Sequence, residues 1–351
     1  MAVVLFVAIV FVSSWPIFSH ALERLPYSHM PRVIIGSPLF NHAGHFRESI
    51  EAILNQTFTD FALVLVDDGS TDATGDIARE YVAIDSRVSY QRNAVRLGLI
   101  DNSRKAFALA RRRHPEAEYF AWTSDHDLCH PCWLQRLVEA LDATPRSVLA
   151  YPMNRRIGPS GEVLKRKPWR FDTAGIDSKW TRLNVGIRHM RAGNMIYGLF
   201  RIGPLQRAGV YRRVVIPDRL LFGELSLYGE FTQVPQVLWF RRWNGRVFSL
   251  GRQRASFFPG RRPLYSYIPW WMGHAASLFW TFAIRGDGRP DVSRADGARA
   301  ALQYGVLAAL VHAWQTLCTA GALLIEWLDA GRRSARRALR STRRRAAAYL
   351  R

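Results

Sequence analysis

Apolar residues along the chain fall into short runs that alternate with stretches of helical spacing. Residues 32–37 (RVIIGS), 61–66 (FALVLV), 87–92 (RVSYQR), 118–124 (EYFAWTS) and 147–152 (SVLAYP) have the length and bounding turn residues of buried strands. Between them, Phe46, Ile50, Ile53 and Leu54 recur at helical spacing, and further helices are expected at about 72–84, 99–113 and 131–143. Ser70 or Thr71 can cap the helix at 72, with Asp72 favourable in its first turn. Strands alternating with helices predict an α/β fold, a mainly parallel sheet with helices on both faces. Residues 153–190, mixed and rich in Arg, Gly and Pro, read as a loop-rich excursion. Beyond it, 195–210 reads as strand, turn and short helix. Residues 218–231 read as a helix stopped by Gly229, and 232–243 as a strand.

The pattern changes at both ends. Residues 1–29 begin with an apolar stretch that lacks the positive start of a signal peptide. Ser13, Ser14 and Pro16 interrupt it short of the ~20 apolar residues a membrane span needs. This segment reads as an anchor or as the product of a wrongly assigned start, since Met30 directly precedes the patterned sequence. Residues 268–284 and 301–325 carry no charge and are long enough to raise a membrane question. Two spans, two interfacial helices and a buried pair are the competing readings, and Trp270, Trp271, Trp280, Trp314 and Trp327 suit a membrane interface. The net charge is +21, of which the nine Arg of 331–351, with no acid among them, supply nine. Such a tail attracts polyanions, here an anionic membrane surface on the cytoplasmic side. It has one aromatic, Tyr349, and no nucleic-acid recognition module, so nucleic acid is not expected. The three cysteines are too few for a disulfide scaffold.

Candidate chemistry sits at the strand ends. Ser37–Asn41, Asp67–Ser70 and Asp125–Asp127 each follow an apolar run, and ligands of parallel sheets bind beyond those carboxyl ends. No glycine-rich phosphate loop is present, so a bound phosphate must be held through a metal and cations. A D-x-D offers hard oxygen ligands that let Mg²⁺ or Mn²⁺ bridge to a diphosphate. The stretch SDHDLCHPC (124–132) could also be read as a zinc site or a redox dithiol at Cys129 and Cys132. Zinc lacks a second ligand pair, and a redox domain has no use for acids at neighbouring strand ends.

Five pieces together resemble the family 2 glycosyltransferases of the GT-A fold. They are VIIGSPLFN (33–41), ESIEAILNQTF (48–58), VDDGSTDAT (66–74), SDHD (124–127) and the D-x-x-L-x-x-E-L-x-L-x-G-x-F-x-x-V-P of 218–235. The resemblance implies a nucleotide-diphosphate-sugar donor, a carbohydrate or lipid-linked acceptor and a Mn²⁺ or Mg²⁺ cofactor. It implies that Pro38, Phe40 and Asn41 line the nucleotide site, with Asp68 on the base and Asp67 beside it. Asp125 and Asp127 would hold the metal diphosphate, and Asp218 would be the base of an inverting transfer. Leu128 stands where relatives often carry a further acid, Pro217 precedes the base, and Trp239 stands where processive synthases have Gln. The last departure points to transfer of a single sugar.

The expected division is an apolar segment 1–29, a GT-A domain 30–260, a helical membrane-associated region 261–330 and an Arg-rich tail 331–351. The expected function is an inverting, metal-dependent glycosyltransferase at the cytoplasmic face of a membrane, in envelope polysaccharide or glycolipid assembly. A non-catalytic membrane-bound scaffold with the same fold and a C-x-x-C thiol oxidoreductase are the alternatives.

Overall fold

Burial from both faces is what turns the apolar runs into strands, because a helix layer covers each side of the sheet they form. The computed structural model describes residues 30–164, 168–243, 245, 249–260 and 262–320. Its strands are β1 (Val33–Leu39), β2 (Phe61–Asp67), β3 (Val88–Arg92), β4 (Tyr119–Trp122), β5 (Leu128–Cys129), β6 (Ser147–Ile157), β7 (Leu199–Arg201) and β8 (Glu230–Arg242). They join in the order β3-β2-β1-β4-β7-β6-β8-β5. The first four are parallel, as is the β6–β8 pair, while β7 and β5 run antiparallel to their neighbours.

The helices are α1 (Ala43–Leu54), α2 (Thr74–Ile84), α3 (Leu99–Arg113), α4 (Trp133–Ala143), α5 (Lys179–His189), α6 (Ala192–Met195), α7 (Ile202–Arg207), α8 (Pro217–Leu225), α9 (Leu250–Phe257) and α10 (Trp270–Leu278). A π-helical stretch, Phe279–Arg285, continues α10. Strand alternation divides the core in two. Val33, Ile35, Leu63 and Leu65 face Phe46, Ile50, Tyr81, Leu134 and Leu137 of α1, α2 and α4. Ile34, Val64 and Val66 face Ile100, Ala106 and Phe107 of α3, in the core that also takes Leu221 and Phe222 of α8. Each large apolar side chain sealed in this way contributes about 1.5–3 kcal/mol.

The chain divides into two compact units, 1–305 and 306–351. Residues 294–305 are helical (α11) in the first, and the described part of the second, 306–320, is helical as well. Segments 1–29 and 331–351 and the end of the region 261–330 lie outside the described residues.

Several local expectations change. The excursion at 153–190 is more ordered than its composition implies: β6 runs on to Ile157 and α5 occupies 179–189, capped by Ser178 Oγ accepting from Thr181 N at 3.3 Å. Neither Ser70 nor Thr71 caps α2. Asp72 Oδ1 accepts from Thr74 N at 3.0 Å instead. The helix at 218 ends at Leu225, and the strand after it begins at Glu230. Helix α4 starts at Trp133, two residues later than expected, after the short strand Leu128–Cys129 has paired with β8. The uncharged stretch at 268–284 packs onto the domain, with His274, Leu278 and Phe282 fully buried. Among the described residues no helix is long and apolar enough to cross a membrane.

Candidate functional site

Register places the three polar clusters side by side. Leu39 pairs with Asp67, and Gly36 with Trp122, so β1, β2 and β4 end at one edge of the sheet. Pro38 lies opposite Val66 one residue before β1 ends, and the loop after the strand turns at Asn41 in the left-handed region (φ 54°). That turn lets Asn41 exchange contacts with the β2 loop. Its N–H donates to Ser70 Oγ (3.1 Å) and its Oδ1 accepts from Thr71 N (2.7 Å).

The two acids of the β2 loop are buried and occupied. Asp67 accepts from Ser70 N at 2.8 Å and from the Tyr90 hydroxyl at 2.8 Å. Asp68 accepts from Leu97 N (2.6 Å), Gly98 N (2.8 Å) and Asn93 Nδ2 (3.0 Å). It therefore folds the 93–98 loop around itself. Gly98 is held at φ +86°, where a Cβ would also strike Pro259 and the Phe257 carbonyl. The same loop lays the Arg96 guanidinium over the Phe40 ring, 3.9 Å from its centroid, and puts Arg96 Nε 4.0 Å from Asp68. Phe40 and Arg96 form a flat cationic-aromatic wall of the kind that takes a nucleobase.

The three residues Asp125, His126 and Asp127 separate into two roles. Asp127 Oδ1 accepts from Arg242 N at 2.8 Å and Oδ2 from the Trp239 indole at 3.0 Å, so both oxygens are spent on β8. Asp125 turns the other way. Its Oδ2 accepts from Phe40 N at 2.9 Å, and its Oδ1 lies 2.7 Å from His126 Nδ1. His42 Nδ1, itself buried, lies 2.9 Å from Asp125 Oδ1. His42, Asp125 and His126 thus present three ligand atoms within 4.8 Å of one another. Burial alone would raise the Asp125 pKa, but the His126 hydrogen bond and the nearby His42 hold it well below the usual carboxylate range. His126 moves in the complementary direction, upward, because its bond to Asp125 and the charge of Asp127 outweigh burial.

Asp218 stands at the start of α8, opposite α6. Its Oδ2 and Arg241 Nη1 both border Gly193, where an added Cβ would lie 3.8 Å and 3.4 Å from them. Arg241 makes a 3.1 Å bond to the neutral Asn194 amide oxygen, and its charge is felt by both His126 and Asp218. Burial raises the Asp218 pKa even though the residue keeps part of its surface open. Arg242, by contrast, is tied to Glu48 (2.6 Å) and the His126 carbonyl (2.9 Å).

The cysteines are free thiols, and burial pushes the Cys129 thiol up, away from thiolate chemistry. Gln56 of the LNQTF motif explains why Cys129 is buried. Its Nε2 donates to the Ala52 and His130 carbonyls at 2.9 Å, and its Oε1 accepts from Leu134 N at 2.9 Å. His42 and Arg96 enter the site without any sequence motif to mark them, and Trp239 was marked only as a departure from the processive synthases. His126 was flagged only by standing between two acids.

Residues 34–197 match the family profile of Glycosyl transferase family 2. An uncharacterized glycosyltransferase of Rickettsia typhi is 29% identical over 224 residues, 63% of this chain and 60% of that protein. One from Haemophilus influenzae is 28% identical over 103 residues, 29% of this chain and 30% of that protein. The chain thus spans no more than about three-fifths of either relative. The fold is similar to the crystal structure of S. aureus TarS 1-349 in complex with UDP-GlcNAc, with a TM-score of 0.54 and 14% identity, covering 78% of this chain and 71% of that one. Over residues 34–197, a little under half of its length, the chain is thus similar to the members of Glycosyl transferase family 2.

Proposed function

We propose that this protein is a glycosyltransferase that moves a single sugar from a nucleotide-diphosphate-sugar donor to a hydroxyl acceptor in one inverting displacement. The observation that carries the reading is the position of Arg241, hydrogen-bonded to the neutral Asn194 amide and lying over the Tyr197 ring, in electrostatic reach of both His126 and Asp218. A diphosphate leaving from the cation site toward the base would lie against it. The nucleobase would stack against the Phe40–Arg96 wall, with Asp68 shaping the 93–98 loop beside it and Pro38, Asn41 and Asp67 building the loops around it. Asp218 would take the proton from the acceptor hydroxyl as it attacks the anomeric carbon, and its raised pKa suits a base that must hold that proton briefly.

The donor set fits a divalent cation. Two imidazole nitrogens, of His42 and His126, face one carboxylate oxygen of Asp125. Imidazole ligands favour Mn²⁺ over Mg²⁺, which prefers an all-oxygen shell. Bound there, the ion would neutralise charge on the departing diphosphate. In this reading His42, Asp125 and His126 hold the ion, and Asp127 anchors the loop to β8.

We place the enzyme at the cytoplasmic face of a membrane, in envelope polysaccharide or glycolipid assembly. Residues 306–320 carry no charge, yet Val306, Leu310, Trp314 and Leu317, at helical spacing, are exposed. The Arg-rich 331–351 follows in sequence, a pairing suited to anionic lipid. The test of function is a panel of nucleotide sugars with Mn²⁺ and hydroxyl acceptors. Wild type should release nucleoside diphosphate and glycosylate an acceptor with inverted anomeric configuration, while Asp218→Asn binds donor normally and transfers poorly. Equal turnover by wild type and variant would refute the assignment. Flotation with anionic but not neutral vesicles tests the membrane face.

A further inference from the structure

The carbonyl just before the start of α8 is held by a residue far along the chain. Ile216, the N-cap of α8, adopts φ 57° and ψ 54°, a left-handed conformation that β-branched residues avoid. Only surrounding contacts keep such a residue in place. Three of them come from the C-terminal helices of the same unit. His274 of α10 lies with Nε2 2.7 Å from the Val215 carbonyl and Nδ1 2.8 Å from the Tyr304 hydroxyl of α11. A carbonyl can only accept, so Nε2 carries the proton and Nδ1 accepts from Tyr304. Tyr304 also packs so closely on α8 that a Cβ at Gly223 would stand 2.7 Å from its ring. Arg219, directly after Asp218, lies over Trp270 of α10 at 5.1 Å.

His274 and Tyr304 are both completely buried. Burial drives the imidazole pKa down to about 3, so it stays neutral and keeps this hydrogen-bond pattern at any working pH. A neutral imidazole bridging two fixed groups is a rigid strut. It acts at Val215, three residues before Asp218 and on the other side of the strained turn. The groups facing the Asp218 carboxyl are Arg219 and Arg241, with Tyr211 and Tyr304 also in electrostatic reach.

We infer that His274 and Tyr304 form a clamp that holds the left-handed turn at Ile216 and so sets the position of Asp218, which makes α10 and α11 working parts of the transfer site. The inference rests on Asp218 as the base, but the clamp has a readout of its own. The experiment follows the Asp218 carboxyl by ¹³C NMR titration, assigned with Asp218→Asn, alongside kcat, KM and donor Kd. It compares wild type with His274→Phe, His274→Gln and Tyr304→Phe. In His274→Phe the carboxyl should titrate closer to an ordinary aspartate, and kcat should fall on the order of tenfold to a hundredfold, as expected for a misplaced catalytic group. Donor Kd should stay within about twofold, since the nucleotide loops are untouched. His274→Gln keeps a donor for Val215 and should restore most of the loss. Tyr304→Phe removes one oxygen without emptying space, so it decides the matter if His274→Phe does not fold.

An unchanged Asp218 titration in the folded variants would overturn the clamp. If the titration moves while wild type transfers no sugar, the clamp stands and the transferase assignment of Asp218 falls. If the titration moves but kcat does not, a positioning role is refuted.

Discussion

Replacing Asp127 and replacing His126 should do opposite things, although the two residues are neighbours in a D-x-D stretch. Asp127 is 3% exposed and satisfies two buried donors, Arg242 N and the Trp239 indole. Asparagine has one acceptor oxygen, so Asp127→Asn must turn its amide hydrogens toward one of those donors. One buried N–H then loses its partner and the other loses a charge-assisted bond, a combined cost of ~2–3 kcal/mol. In a domain of this size that corresponds to a fall in Tm of about 4–8 °C. His126→Ala should lower the metal-free Tm by less, because its side chain is about a third exposed (34%) and Asp125 keeps Phe40 N and His42 as partners. It removes one of three facing ligands, so Mn²⁺ affinity should fall at least about tenfold. A tenfold loss removes ~1.4 kcal/mol of the stabilisation Mn²⁺ confers at a fixed saturating concentration. The assay is thermal denaturation of both variants with and without Mn²⁺. Asp127 lies 3.8 Å from His126 Nε2, so losing its charge softens Mn²⁺ binding as well, but by less than losing a ligand. If Asp127→Asn keeps the wild-type metal-free Tm and loses the Mn²⁺ shift, then Asp127 is the ligand and the division of roles is refuted.

Three further outcomes are expected. Asp218→Asn should lower transfer by about 10²–10⁴ with donor Kd unchanged, read by nucleoside diphosphate release. Only the ionised carboxyl can accept the proton, so kcat should rise with pH through a value above that of a free aspartate. Arg241→Gln, which removes a nearby positive charge, should move that inflection upward; a downward move would show that Arg241 does not face the base. Glu224 is buried, and burial raises its pKa from 4.5 to about 7 against the pull of Arg212. The folded state then holds a proton that the unfolded chain has released between those values. Stability from this group should fall by about 3 kcal/mol as pH rises from 4.5 to 7, and urea unfolding of Glu224→Gln should lack that slope.

The parallel half of the sheet was legible because β1, β2 and β4 are buried on both faces and so read as unbroken apolar runs. Helix α3 matched its periodicity from Leu99 to Arg113. Helix α5 was hidden because KWTRLNVGIRH spends a buried position on Arg182, whose guanidinium satisfies the Ser226, Ile176 and Asp177 carbonyls. Strand β5 is two residues long and has no pattern to read. The site was legible as three strand-end clusters, since parallel topology alone aligns them. The direction each acid faces was not. Asp127 is claimed by Trp239, 112 positions away, and His42 is brought to Asp125 by the turn at Asn41. Neither contact leaves a local trace in the sequence.

Gln56 gives the 124–132 loop a property beyond holding one helix start. The loop is fastened at its middle by Asp127 to β8 and at its far end by Gln56 to α1, through the His130 carbonyl and Leu134 N. A segment pinned at both points cannot collapse when its ligand leaves. Asp125 and His126 therefore wait in nearly the geometry they would need, and little ordering entropy remains to be lost when a donor arrives. On the proposed reading, the glutamine of an apparently structural motif acts on affinity: loosening it would be felt as slower capture and faster loss of a nucleotide sugar, with the fold itself intact.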